Sequence, residues 1–223
     1  MTRAYQQRAR AEKSSDTARR IVAAARTLMP NADEFQVDEI ARLAGVSVPT
    51  VYSHFGSKGG LLSALVGQIE SELGLFAGFG RVWECRDGES ALRTMLASTL
   101  DFWRQAWTFI EFALRTRRTD PEVGARIDRL DRSRLGHLVV ICRRLGEEGR
   151  LMPGLTPASA ARLAFALTTP YVYESLVVHN KVRAVAARGL VIDAVVAAVV
   201  RTGTTPRPSH IDWARLGLKP PVT

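Results

Sequence analysis

Cysteine is scarce: only Cys85 and Cys142 occur in 223 residues, too few for a disulfide framework and in keeping with a reducing cytoplasm. Histidine is nearly as rare. His54, His137, His179 and His210 keep no metal-ligand spacing with one another or with the thiols, so no metal site is expected. Long apolar runs are missing as well. The most hydrophobic stretch, Leu190 to Val200, is interrupted by Asp193 and falls far short of the ~20 apolar residues that span a bilayer, so no membrane partner is expected. Met1 to Lys13 carries Arg3, Arg8, Arg10 and Lys13 without the apolar core of a signal peptide, which makes the expected location cytoplasmic. No run of alternating residues suggests a sheet, and there is no internal repeat. A phosphate loop, a GxSxG elbow and a nucleotide fingerprint are all absent from the sequence, so neither an enzyme nor a cofactor is expected.

What is present is a globular composition, 46% hydrophobic and 24% charged, with room for a small domain beside a larger one. Thirty-one Lys and Arg against 22 Asp and Glu give a net charge of +9, which favours a polyanionic partner. The excess is spread out, since residues 1–58 hold nine basic against six acidic side chains. Helical periodicity dominates. Ser15 or Asp16 is placed to cap a first helix carrying Ile21, Ala25 and Leu28 on one face, and Pro30 to Asp33 stops it. Val37 to Ala44 reads as a short helix, Gly45 to Ser47 as a tight turn, and Ser47 as the cap of a second helix. A longer helix from Ser57 carries Leu62, Val66, Ile69, Leu73 and Phe76 in one stripe. A glycine-rich break at Gly74 to Gly80 follows it. Further helical segments are expected at Glu89 to Arg117, long enough for two helices, and at Pro121 to Glu148, Pro157 to His179 and Val182 to Arg201.

The informative segment is Phe35 to Leu62. A helix-turn-helix needs a small residue where two helices touch, a turn glycine, an apolar plug and a cap for the second helix; Ala44, Gly45, Val46 and Ser47 supply them in order. Val51 and Phe55 are spaced to point inward. Ser47, Val48, Pro49, Thr50, Tyr52, Ser53 and His54 remain for a major groove, where Thr meets a thymine methyl or a phosphate and Tyr and His bond phosphates. Lys58 adds a cation beside helix amides that favour phosphate. Taken alone, the pattern also fits a purely structural helix pair in which Tyr52 is a half-buried aromatic.

Ile40-Ala41, Ala44-Gly45-Val46-Ser47, Thr50, Tyr52, His54-Phe55 and Ser57-Lys58 together resemble the signature of the TetR family of bacterial transcriptional regulators, over about residues 16–66. Two positions depart from that pattern. Pro49 stands where glycine is commoner, and Gly59-Gly60 where an acidic residue is frequent. Proline is accepted in a first helical turn, so the fold is not affected, but no base preference carries over. The basic arm before the first helix would lie along phosphates or in a minor groove, or remain a solvated tail.

In the later helices Trp103, Trp107, Ile110 and Leu114 form one stripe and Phe102, Ala106, Phe109 and Ala113 its neighbour, with Glu111 expected as a surface partner of Arg115. The resemblance implies that these helices enclose a small-molecule pocket, which makes Trp103, Trp107, Phe165, Tyr171, Tyr173 and Glu174 its candidate residues and an apolar or planar molecule its effector. Thr168-Thr169-Pro170 is set to kink the apolar segment from Phe165 to Val178. Glu174 there needs a partner, whether a ligand, Arg134, His137 or a group of another subunit. The resemblance also implies that Pro157 to His179 and Leu190 to Val200 are the two helices that each subunit contributes to a dimeric four-helix bundle, with Val195 and Val199 inside it. The β-branched richness of the latter leaves a buried strand as the alternative.

The expected fold is therefore all-α. A basic flexible arm (1–13) precedes a three-helix DNA-binding domain with a helix-turn-helix (14–60), a larger helical ligand-binding and dimerisation domain (61–202) and a Pro-rich tail (203–223). The expected function is a homodimeric regulator on a double-stranded DNA operator, a repressor released by a small-molecule effector, with the helix from Ser57 to Phe76 as transmitter. A helical carrier or enzyme for an apolar ligand, with the helix-turn-helix as scaffold, is the alternative. A regulator without an effector is the third reading.

Overall fold

The computed structural model describes residues 3–31, 36–73 and 75–201. Eleven α-helices occur among them: α1 Arg3–Leu28, α2 Val37–Ala44, α3 Val48–Phe55, α4 Lys58–Glu72, α5 Leu75–Glu84, α6 Gly88–Gln105, α7 Trp107–Thr116, α8 Pro121–Glu147, α9 Pro157–Leu167, α10 Pro170–Tyr173 and α11 Ala184–Val199. A 3₁₀ turn at Met29–Asn31 ends α1, and Glu174–His179 is wound as a π-helix. The only pairing of strand type among the described residues is an isolated bridge between Leu151 and Val200, so the all-α expectation holds and α11 is not a strand.

The chain folds into two compact units that do not follow chain order. One takes the described residues up to Glu70 with Thr108–Arg129, and the other takes Ser71–Trp107 with the described residues from Leu130 onward. This differs from the division at residue 60 expected from the sequence, because α7 and the first turns of α8 pack with the N-terminal helices. Ile21, Ala25, Ile40, Ala44, Val51, Leu61 and Leu62 are buried in the first unit, and Leu92, Leu96, Leu138, Ile141 and Leu145 in the second.

Several boundaries are corrected. The helix expected to be capped at Ser15 or Asp16 begins at Arg3, so the stretch expected as a flexible arm continues α1. The single helix from Ser57 to Phe76 is two, α4 and α5, and α5 fills most of the expected glycine-rich break. Glu89 to Arg117 divides at Ala106. The segment from Pro157 to His179 divides at Thr168-Thr169, and Thr169 takes the extended backbone (ψ 155°) that a following proline favours. Of the segments read from the sequence, Ala32 and Asp33 of the stop signal, Gly74 and the tail at 203–223 lie outside the described residues.

Val195 and Val199 need the most consequential correction. Both have no exposure within a single chain, so they belong to the subunit's own core rather than to a face between subunits. The outward side of α11 is formed by Ala186, Leu190, Ala194 and Ala197, with Leu190 at 61% exposure. An almost uniformly apolar helix carries no periodicity from which its inner face can be chosen.

Candidate functional site

The turn of the helix-turn-helix is specified by hydrogen bonds. Gly45 takes a left-handed conformation (φ 65°, ψ 40°) after α2, which costs a glycine nothing sterically. Its N–H donates to the Arg42 carbonyl at 3.2 Å and the Val46 N–H to that of Ala41 at 3.0 Å, the paired bonds of a Schellman end. The Arg20 guanidinium, reaching from α1, donates to the Ala44 carbonyl at 3.0 Å. Ser47 then caps α3 as expected. Its Oγ accepts from the Thr50 N–H at 3.3 Å and shares a 2.8 Å bond with the Thr50 hydroxyl.

Val51 anchors α3 with 1% exposure, while Phe55 is half-buried. The opposite face is free for a groove: Ser47, Pro49, Tyr52 and Ser53 are exposed, and Val48, Thr50 and His54 are half-exposed. Tyr52, at 40% exposure, is not a core aromatic.

Lys58 sits differently from the simplest expectation. Its Nζ lies 3.2 Å from Asp120 Oδ2, and the neighbouring Gly59 N–H donates to Glu122 Oε2 at 2.9 Å. Two carboxylates at the start of α8 thus meet the cation and the helix amide expected to face phosphate. Asp120 is itself held, because its other oxygen accepts the N–H groups of Glu122 (3.0 Å) and Val123 (3.2 Å). Gly60 explains the departure at this position: a Cβ there would stand 1.8 Å from the Phe55 carbonyl oxygen, so the close approach of α4 to the end of α3 requires glycine.

In the second unit, the candidate effector residues fall into two groups. Trp103 is buried, and its indole N–H donates to the Thr168 carbonyl at 3.0 Å. The Arg134 guanidinium carbon lies 3.9 Å from the Phe165 ring centroid and 5.6 Å from that of Trp103. Trp107 and Tyr173 form the other group, with ring centroids 5.1 Å apart. Burial pushes the Tyr173 phenol above its usual range, partly offset by the Arg104 charge. Tyr171 stands apart at 48% exposure. Glu174 Oε1 lies 3.9 Å from His179 Nε2. Glu111 pairs with Arg115 at 3.7 Å, as expected.

Sequence reading named Arg134 only as a possible partner of Glu174, and it missed Thr168 as the acceptor. An Arg thirty-four residues before a threonine leaves no local signature. Cys142 is buried, and burial pushes its thiol up to about 12, which leaves it protonated and unreactive at neutral pH. No group of three or more His, Cys, Asp or Glu able to hold a metal ion occurs among the described residues, and no described helix is long and apolar enough to cross a membrane.

Residues 21–65 match the family described as bacterial regulatory proteins, tetR family. No protein of curated function matches the chain. Among solved structures, the chain is similar to SmeT, the repressor of the Stenotrophomonas maltophilia multidrug efflux pump SmeDEF, at 23% identity and a TM-score of 0.63, covering 87% of this chain and 100% of that one. SmeT has also been solved with triclosan. A second similar structure is NalD, the secondary repressor of the MexAB-OprM multidrug efflux pump in Pseudomonas aeruginosa, at 20% identity and a TM-score of 0.65, covering 86% and 100%. A third is the transcriptional regulator FadR from Bacillus subtilis in complex with stearoyl-CoA, at 21% identity and a TM-score of 0.63, covering 80% and 97%. At these identities the likeness carries the fold alone. It is the helix-turn-helix unit at residues 21–65 that matches the tetR family of bacterial regulatory proteins.

Proposed function

We propose that this transcriptional regulator is a homodimeric repressor that grips a near-palindromic operator with α3 and leaves it when a small apolar or planar molecule binds the second unit. The observation that carries the DNA-binding part is the outward face of α3, where Ser47, Pro49, Tyr52 and Ser53 are exposed on a helix anchored by Val51. Ser47, Val48, Pro49 and Thr50 enter the groove and Tyr52, Ser53, His54 and Lys58 serve the phosphates. The dimer forms across the outward side of α11, around Leu190, Ala194 and Ala197, with α9 alongside. Two-fold symmetry then sets the reader helices roughly 34–36 Å apart, or a multiple of a helical turn. The effector is held by Trp103, Trp107, Phe165, Tyr171, Tyr173 and Glu174. SmeT with triclosan and FadR with stearoyl-CoA are similar folds solved with bound ligands, the first of them small and largely apolar.

Salt titration of DNA binding tests the interface. Lys58→Ala is expected to weaken all sequences alike and to flatten the slope of log affinity against log salt by about one unit. Because Asp120 and Glu122 compete with phosphate for Lys58 and the Gly59 amide, Asp120→Asn with Glu122→Gln is expected to strengthen binding and steepen that slope. Unchanged slopes in both variants would remove Lys58 from the interface.

A further inference from the structure

Arg134 is a buried cation with one edge unanswered. Its side chain is 9% exposed. One end of the guanidinium is fully engaged, with Nη1 donating to the Thr168 carbonyl at 3.2 Å and to the Thr168 hydroxyl oxygen at 3.1 Å. The Phe165 and Trp103 rings lie against the group. The remaining edge, Nε with Nη2, has no hydrogen-bond partner. Asp131 Oδ1 is 3.8 Å from Nη2, beyond hydrogen-bond reach.

The fold shows elsewhere how it satisfies a buried arginine. Arg144 Nε donates to Glu148 Oε1 at 3.1 Å within a pair whose side chains are 8% and 1% exposed. Arg126 and Arg150 each have one buried nitrogen without a hydrogen bond, Nε, whereas Arg134 has two, both on the same edge. The fold does not depend on Arg134 to satisfy its neighbours either. The Thr168 carbonyl retains the Trp103 indole, and the Thr168 hydroxyl donates to the Ala164 carbonyl at 2.7 Å.

We propose that the Nε/Nη2 edge of Arg134 is the recognition site for the carboxylate of an amphipathic acid whose apolar body lies along Trp103 and Phe165. That edge presents two parallel N–H groups in the spacing of a carboxylate's two oxygens. Thr168 fixes its direction, and the low-dielectric surroundings strengthen a charge-assisted bond. The rings supply apolar area and hold the guanidinium plane from its faces. The inference rests on the reading of the second unit as an effector site and narrows that site to acids.

Matched acid and alcohol probes test it: decanoate against 1-decanol, and 2-naphthoate against 2-naphthalenemethanol, titrated into the full chain and followed by tryptophan fluorescence and melting temperature. The acids are expected to bind about tenfold or more tightly than the alcohols, in line with a charged hydrogen-bond pair. Arg134→Met is expected to abolish that preference while the melting temperature stays level or rises, since a buried charge whose Nε/Nη2 edge lacks hydrogen bonds is replaced by an apolar chain. Arg134→Lys, which keeps the charge without the fork, is expected to retain only part of the preference.

Equal affinity for acid and alcohol would overturn the carboxylate assignment while leaving an effector site in place. The same holds for a preference that survives in Arg134→Met. Binding of none of the four probes at millimolar concentration would overturn the assignment too. DNA binding measured on the same samples reports separately on the regulator reading.

Discussion

Glu148→Ala is expected to destabilise the second unit by about 3–5 kcal/mol, the range for breaking a buried ion pair by removing one partner. Both carboxylate oxygens accept the Gly88 N–H at 2.9 Å, at the first turn of α6 where the helix dipole favours an anion. One of them also accepts from Arg144 Nε. Truncation to alanine strands a guanidinium that is 8% exposed and leaves the Gly88 amide without its acceptor. The site is also tight: a Cβ on Gly88 would stand 2.9 Å from Leu145 Cγ and 3.0 Å from Glu148 Oε2. Glu148→Gln keeps an acceptor and is expected to cost less than the alanine change. Urea unfolding measures both. An alanine variant within about 1 kcal/mol of the parent, the range of a single neutral hydrogen bond, would show that the cluster does not hold α6 to α8.

The second large effect separates fold from assembly on α11. Val195→Glu places an unpaired carboxylate where the parent side chain has no exposure. It is expected to cost several kcal/mol and to abolish the cooperative melt. Leu190→Glu, on the outward side of the same helix at 61% exposure, is expected to leave the secondary structure and the monomer's melt intact. It should convert dimer to monomer in sedimentation and weaken binding to a palindromic duplex, since one half-site is then held alone. A Leu190→Glu protein that stays dimeric would place the subunit contact on another surface. A Val195→Glu protein that melts like the parent would contradict the burial itself.

The reader was legible because its determinants are local. The Gly45 turn, the Ser47 cap and the inward Val51 are specified within a few residues of one another, and backbone conformation at a left-handed glycine or a capping serine is decided at that range. The helix breaks were less legible. The stripe from Leu62 to Phe76 keeps its period straight across the end of α4 at Glu72, so periodicity alone joins two helices into one.

Long-range pairing left no trace at all. Asp120 meets Lys58 across 62 positions and Arg134 meets Thr168 across 34, and neither partner carries a local motif that predicts the other. The inner face of α11 failed for a different reason. Val191, Val195 and Val199 resemble Leu190 and Ala194 in polarity, so only packing against α6 and α9 distinguishes core from surface there.

Selection of bound duplexes from a random pool by the full chain tests the central claim most directly, that α3 reads DNA as one half of a symmetric pair. The account predicts a near-palindromic consensus with half-site centres about 10–10.5 base pairs apart, or a multiple of that, bound with an affinity that falls steeply as salt rises. Thr50→Ala, in the face proposed to enter the groove, should relax the consensus at a symmetric pair of positions. A pool that remains random after selection, or a retained affinity indifferent to salt, would contradict the account.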